Sequence, residues 1–139
     1  MTEVRSTSRR LLVLRFDGAT CAVTASELAA IDHDGAGARI SVEGPIQDLA
    51  ELLPHCKSAA TPLRLIVDVK GYRRCIRARA ELELVETSAV YRMPNLLREC
   101  GVAPWLRGVV LLGEQDDQQP ALWLDLEKLA LASEQETDR

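Results

Sequence analysis

Apolar residues along this chain come in short runs broken by Asp, Gly, Pro and Arg, and several runs alternate with the two-residue period of a half-buried strand. Leu63, Leu65, Val67 and Val69 alternate with Arg64, Ile66, Asp68 and Lys70 up to Gly71. Tyr72 to Ala80 then returns with Arg73, Arg74, Arg77 and Arg79 interleaved, so the pattern predicts a hairpin with one basic face. Leu82, Leu84 and Val85 predict a third strand. Near the start, Leu11, Leu12, Val13, Leu14 and Phe16 form a nearly continuous apolar run. That is the signature of a strand covered partly on both faces; Asp17-Gly18 supplies a tight turn, and Cys21 to Val23 returns as its partner. Trp105 to Leu112 and Ala121 to Leu124 flank a polar loop, Gly113 to Pro120, and predict a closing hairpin. Asp125 precedes Leu126, Leu129 and Ala130 at helical spacing, so its carboxylate can cap the first turn of a helix.

The intervening stretches give weaker signals. Thr24 and Ser26 both qualify to open a short helix through Ile31. Asp32 to Gly37 reads as a loop, because Asp and Gly favour turn geometry, and Ala38 to Val42 as a short strand. Pro45, then Ile46, Leu49, Leu52 and Leu53, fit a two-turn amphipathic helix that ends before Pro54, with Gln47, Asp48 and Glu51 outward. His55 to Pro62 is expected to link two lobes. Met93-Pro94 and Leu96-Leu97 lead into a loop or short helix before Pro104. Met1 to Ser8 is polar and expected to be disordered, and Glu134 to Arg139 is expected to be a solvated tail. No sequence repeat is evident, although a strand-strand-helix plan occurs twice.

Composition narrows the function classes. At 139 residues the chain has the size of one domain and can bury a core without disulfides or metal. Only 4% of residues are aromatic against 47% hydrophobic, so aliphatic packing must dominate. A net charge of −4 gives no global attraction for phosphate backbones, so nucleic acid is not the expected partner and its binding would need a strong local patch. No run approaches the roughly 18 apolar residues of a membrane span, and the apolar run after Arg10 is too short for a secretory signal, so a cytoplasmic protein is expected. Cys21, Cys56, Cys75 and Cys100 are widely spaced with no Cys-x-x-Cys pair, which predicts reduced, buried thiols rather than a zinc site or redox dithiol.

Candidate chemistry is sparse. Arg73, Arg74, Arg77 and Arg79 are followed by Glu81, Glu83 and Glu86, which predicts a salt-bridged sheet face; an acidic protein is the partner that would suit this face. His33 and His55 lie in polar loops with no serine or cysteine nucleophile in pattern. Asp32, His33 and Asp34 are consecutive and do not make a convergent ion site, and there is no glycine-rich phosphate loop. The residues therefore predict no catalytic group, no metal and no cofactor. Trp105 and Trp123 are each a core wedge or an interface anchor.

Three segments, in order, resemble CheW-like domains, the coupling proteins of bacterial chemotaxis. The run from Leu14 to Val23, followed by Glu27-Leu28-Ala29-Ala30-Ile31, is similar to the family's opening strand, tight turn, strand and short helix. Pro45 to Leu53 resembles its Pro-Val-Ile-Asp-Leu helix start. Arg107-Gly108-Val109-Val110 through Leu122-Trp123-Leu124-Asp125-Leu126-Glu127-Lys128-Leu129 resembles its closing segment. The family's Asn-x-Arg-Gly is replaced here by Ser41-Val42-Glu43-Gly44, an anion standing where the family has a cation.

The resemblance implies a mainly β fold of two small, SH3-like, five-stranded barrel lobes with short helices. It covers about residues 11–132, with lobe 1 over about 15–60 and lobe 2 over about 61–125 with strand exchange, between tails at 1–10 and 133–139. It implies a non-enzymatic adaptor between a histidine kinase regulatory domain and a chemoreceptor cytoplasmic tip, recruited to membrane-associated receptor arrays or a cell pole. Val42, Glu43, Gly44, Arg107 and Gly108 are then the partner-binding candidates. The alternatives are a diverged scaffold for another polar or motility complex, and a small-barrel nucleic-acid binder that stacks bases on Tyr72 or Tyr91.

Overall fold

The structure, a computed structural model, describes residues 2–4, 9–35, 38–87, 90–92, 104–113 and 117–132. The first strands are β1 (Thr2–Val4), β2 (Arg9–Arg15), β3 (Thr20–Thr24), β4 (Ala30–His33) and β5 (Gln47–Asp48). They are followed by β6 (Pro62–Val69), β7 (Tyr72–Arg79), β8 (Glu81–Thr87), β9 (Val90–Arg92), β10 (Leu106–Leu112) and β11 (Gln119–Leu124). Helix α1 (Leu49–Leu52) follows β5, helix α2 (Leu126–Ala130) follows β11, and Ala25–Glu27 form a single 3-10 turn. The larger sheet has the order β1-β9-β10-β11-β3-β2-β8, and the smaller has the order β4-β6-β7-β5. Pairings are antiparallel except β11 with β3 and β5 with β7.

The apolar run of β2 is continuous because each face of the strand meets a different core. Leu11 and Val13 join Ala22, Val90, Val110, Leu112, Ala121 and Trp123 in one cluster, against which Val85 of β8 also packs. Leu12 and Leu14 point the other way, with Cys21, Val23 and Leu124, into a cluster shared with Leu65, Val67, Val69, Ile76 and Ala78 of the smaller sheet. A strand buried on both faces has no polar face to show in its sequence. Helix α2 closes the shared core with Leu126, Leu129 and Ala130, and Asp125 caps it by accepting from the Lys128 amide at 3.2 Å. Trp123 is 1% exposed, and its Nε1 donates to Thr24 Oγ1 at 3.1 Å, so this tryptophan is a core wedge with its polar atom satisfied.

The mainly β class, the hairpins at Leu63–Ala80 and Trp105–Leu124, the β2–β3 pair, the third strand and the Asp125 cap all stand as the sequence predicts. Several local expectations do not. Thr2–Val4, expected in a disordered tail, form β1, because the outer edge of β9 offers backbone groups that an extended segment can pair with. The expected helix through Ile31 is a single 3-10 turn followed by β4, which takes up the free edge of β6. No strand forms over Ala38–Val42, because the Arg39 and Ile40 amides bond to a carboxylate instead of a neighbouring strand. The expected helix over Pro45–Leu53 shortens to α1: Gln47 and Asp48 pair with β7, and Asp48 turns from an outward position into the helix cap. The expected Met93–Leu97 element and the tail from residue 133 lie outside the described residues. The sheets also do not divide the chain at residue 60. β6 and β7 join β4 and β5, whereas the strands before residue 25 and after residue 80 build the other sheet.

Candidate interaction site

The smaller sheet begins with β4 at one edge and receives β5 at the opposite edge, so the chain between them must cross the face of β6 and β7. Register places a row of four charged residues on that face: Asp32 opposite Arg64, Arg64 opposite Arg77, and Arg77 opposite Asp48. Asp32 and Arg64 are both buried and lie 3.2 Å apart. Asp32 also accepts from the amides of His33 at 2.8 Å, Arg39 at 2.6 Å and Ile40 at 2.8 Å, while Arg64 Nη2 donates to the Ile40 carbonyl at 2.8 Å. The Arg39 and Ile40 amides hold the Asp32 carboxyl below its ordinary value, with the Arg64 guanidinium adding to them and desolvation opposing them. The pair therefore works as a clasp that fastens the crossing segment to the sheet. Arg77, half-exposed, bridges Asp34 at 3.4 Å and Asp48 at 3.5 Å at the ends of the same segment.

Two further anchors fix where the segment leaves the face. The Glu43 amide donates to the Arg73 carbonyl at 2.7 Å. Gly44 has φ +76°, a conformation that favours glycine, and a Cβ there would displace the end of the Arg74 side chain. Val42 is half-buried and Glu43 exposed beside this anchor. Nearby in the chain and on β7, Ile46 is 45% and Tyr72 is 53% exposed. Backbone bonds, a buried ion pair and a glycine turn thus present an acidic residue with exposed apolar neighbours on a fixed support.

Arg107 and Gly108 lie elsewhere. The β10–β11 register shifts between Leu106 and Gly108, and this bulge turns Arg107 toward the start of the chain. Its guanidinium makes a two-point contact with Glu27, including Nη2–Oε2 at 2.9 Å, and Nε lies 3.4 Å from Asp125. It also stands over the Trp123 ring at 5.5 Å, with Arg9 at 5.3 Å. Arg107 therefore ties the 3-10 turn to the cap of α2, and Gly108 is buried opposite Trp123. The structure groups Val42, Glu43 and Gly44 on the outer side of β7, while Arg107 reaches Glu27 just before β4 on the far side of β6.

The predicted pairing of the arginine hairpin with the following glutamates does not form. Glu83 and Glu86 pair with Arg15 and Arg10 of β2, because β8 runs beside β2 and not beside β7. Arg64 and Arg77 are engaged with aspartates, which removes two cations from any phosphate-binding surface. His33 and His55 are exposed, and among the described residues no three metal-ligating side chains converge. Sequence reasoning missed Asp32, Arg64, Asp48 and Ile46. Of these only Asp48 carried a local signal, an Asp before the Leu-Ala-Glu-Leu helix.

A cleft of 510 Å³ opens beside the crossing segment, lined by Asp48, Cys56, Lys57, Ser58, Arg77 and Arg79 among others. No described helix is long and apolar enough to cross a membrane.

No family model matches the chain, and no curated protein matches it by sequence. Among solved structures it is similar to the scaffolding protein TtCheW from Thermoanaerobacter tengcongensis, with a TM-score of 0.61, 14% identity and 88% of each chain covered. The fold is CheW-like.

Proposed function

We propose that the chain is a non-enzymatic, CheW-like adaptor that couples a chemoreceptor-type sensor to a histidine kinase regulatory domain in the bacterial cytoplasm. The observation that supports this reading is the shared fold, which extends over 88% of both this chain and a protein described as a scaffold. A scaffold needs supported, exposed side chains and not a reaction centre, and the Val42–Gly44 segment fits that need. Its three anchors hold Glu43 at low conformational cost, which favours binding by preorganisation. Val42, Glu43 and Gly44, with Ile46 and Tyr72, form the partner-facing surface in this proposal. Arg107 and Gly108 serve it by holding the larger sheet, the 3-10 turn and α2 together.

The test is a direct binding measurement of the purified chain against a kinase regulatory domain and a receptor-tip fragment, with Glu43→Arg beside it. The expected result is kinase binding by the native chain and a changed receptor affinity in the variant. Charge at a rim position acts chiefly on partner choice and on-rate. Absence of binding by both proteins to both partners would overturn the adaptor reading.

A further inference from the structure

Cys21 on β3 and Cys56 in the turn after α1 bring their sulfurs within 3.5 Å across the boundary between the two halves of the molecule. Neither is in a disulfide, and both are buried. The approach is supported by backbone contacts on either side. The Asp17 amide donates to the Lys57 carbonyl at 2.8 Å, the Cys56 amide donates to the Leu53 carbonyl at 2.9 Å, and Gly18 faces the His55 carbonyl. The β2–β3 turn and the turn after α1 are therefore laid side by side, with the thiols between them. Cys56 also lines the 510 Å³ cleft, while Cys21 is fully enclosed.

We propose that Cys21 and Cys56 form a peroxide-driven, reversible disulfide that locks β3 of the larger sheet to the turn that precedes β6 of the smaller one. The cleft admits hydrogen peroxide to Cys56 first. The Cys56 thiolate attacks one peroxide oxygen, the O–O bond breaks, hydroxide leaves, and Cys56 becomes a sulfenic acid. The Cys21 thiolate then attacks the Cys56 sulfur, the S–S bond forms and hydroxide leaves. In sum, two thiols lose two hydrogens, one peroxide is reduced, and two waters are released. The hydrogen bond between the sulfurs lowers the Cys56 thiol and, together with burial, raises the Cys21 thiol, which agrees with attack from Cys56 first. Closing to the bonded separation of about 2.05 Å requires a shift of about 1.5 Å, within reach of side-chain rotation together with a small movement of the exposed turn. The new bond closes a loop of 35 residues that contains β4, the crossing segment, β5 and α1.

The experiment treats the purified, reduced chain with hydrogen peroxide, alkylates the remaining thiols, and maps the peptides by mass spectrometry. A total mass lower by about 2 Da before alkylation, then a Cys21–Cys56 linked peptide and alkylated Cys75 and Cys100, are expected. The thermal midpoint should rise by several degrees and return on adding a thiol reductant, since a cross-link restricts the unfolded chain. A Cys21→Ala variant should instead accumulate a Cys56 sulfenic acid that a dimedone probe captures. Recovery of Cys21 and Cys56 as alkylated thiols, a linkage between other cysteines, or advance of Cys56 to the sulfinic acid with no cross-link in the native chain would overturn the proposal. The mapping of the native chain stands alone if the variant does not fold.

Discussion

The two sheets solve the same problem in opposite ways. Each has one face on the shared core and a second face that must also be covered. The larger sheet covers its second face with hydrocarbon, gathering Leu11, Val13, Val90, Val110 and Ala121 around Trp123. The smaller sheet places Asp32, Arg64, Arg77 and Asp48 across its second face, where the crossing segment buries Asp32 and Arg64 and leaves Arg77 half-exposed. The first solution is non-directional and supplies stability in proportion to area. The second is directional, because a buried carboxylate specifies which amides must reach it. A buried ion pair adds little net stability over apolar residues, and in this chain its use is to fix one path for the segment that carries Glu43.

Substitutions can separate the two solutions. Trp123→Ala should be the most damaging, at about 3–5 kcal/mol of stability, because it empties the centre of the apolar cluster. Urea unfolding measures it, and a loss under about 1 kcal/mol would show that the cluster re-closes around the hole. Gly44→Ala should cost about 1–3 kcal/mol, from the left-handed backbone and the displaced Arg74. Adding Arg74→Ala should recover part of that loss in a double-mutant cycle, whereas simple additivity would mean the backbone alone is responsible.

A third prediction concerns acid. Asp32 is lowered in the folded state from an ordinary value of 3.8, so its contribution is present above that value and is lost as pH falls through the folded one. Stability of the native chain should therefore decline below about pH 4, and the decline should be shallower in Asp32→Asn, followed by denaturation midpoints across pH 6 to 3. Equal slopes would remove Asp32 from the account. The smallest effect is expected for Arg10→Ala, within about 0.5 kcal/mol, because its contact with Glu86 is on the open surface.

The sequence showed the parts of the fold that local rules govern. Alternation marked β6 and β7, the two-sided run marked β2, and Asp125 before an apolar helical stripe marked α2. What was not visible depends on partners distant in sequence. Asp32 sits among Asp and Gly residues that look like a turn, and its burial follows from Arg64 on β6 and from amides on the crossing segment. Arg79 and Glu81 are close along the chain, yet β8 pairs with β2, so the expected cross-strand ion pairs had no geometry in which to form. For the candidate site, Gly44 and the acidic replacement at Glu43 were legible from the resemblance. The support beneath them was not, because it consists of backbone hydrogen bonds whose partners only the sheet order brings together.

The crossing from one edge of the smaller sheet to the other has an evolutionary corollary. Among the described residues its course meets the sheet through the Asp32 clasp, Asp34 and the Glu43–Gly44 anchor, and no residue from Ala38 to Ile46 takes part in a strand pairing. Residues can be gained, lost or exchanged there without shifting any strand against its neighbour. On the adaptor reading proposed above, the partner-facing segment is one that can change in length and composition while the packing of the two sheets beneath it stays as it is.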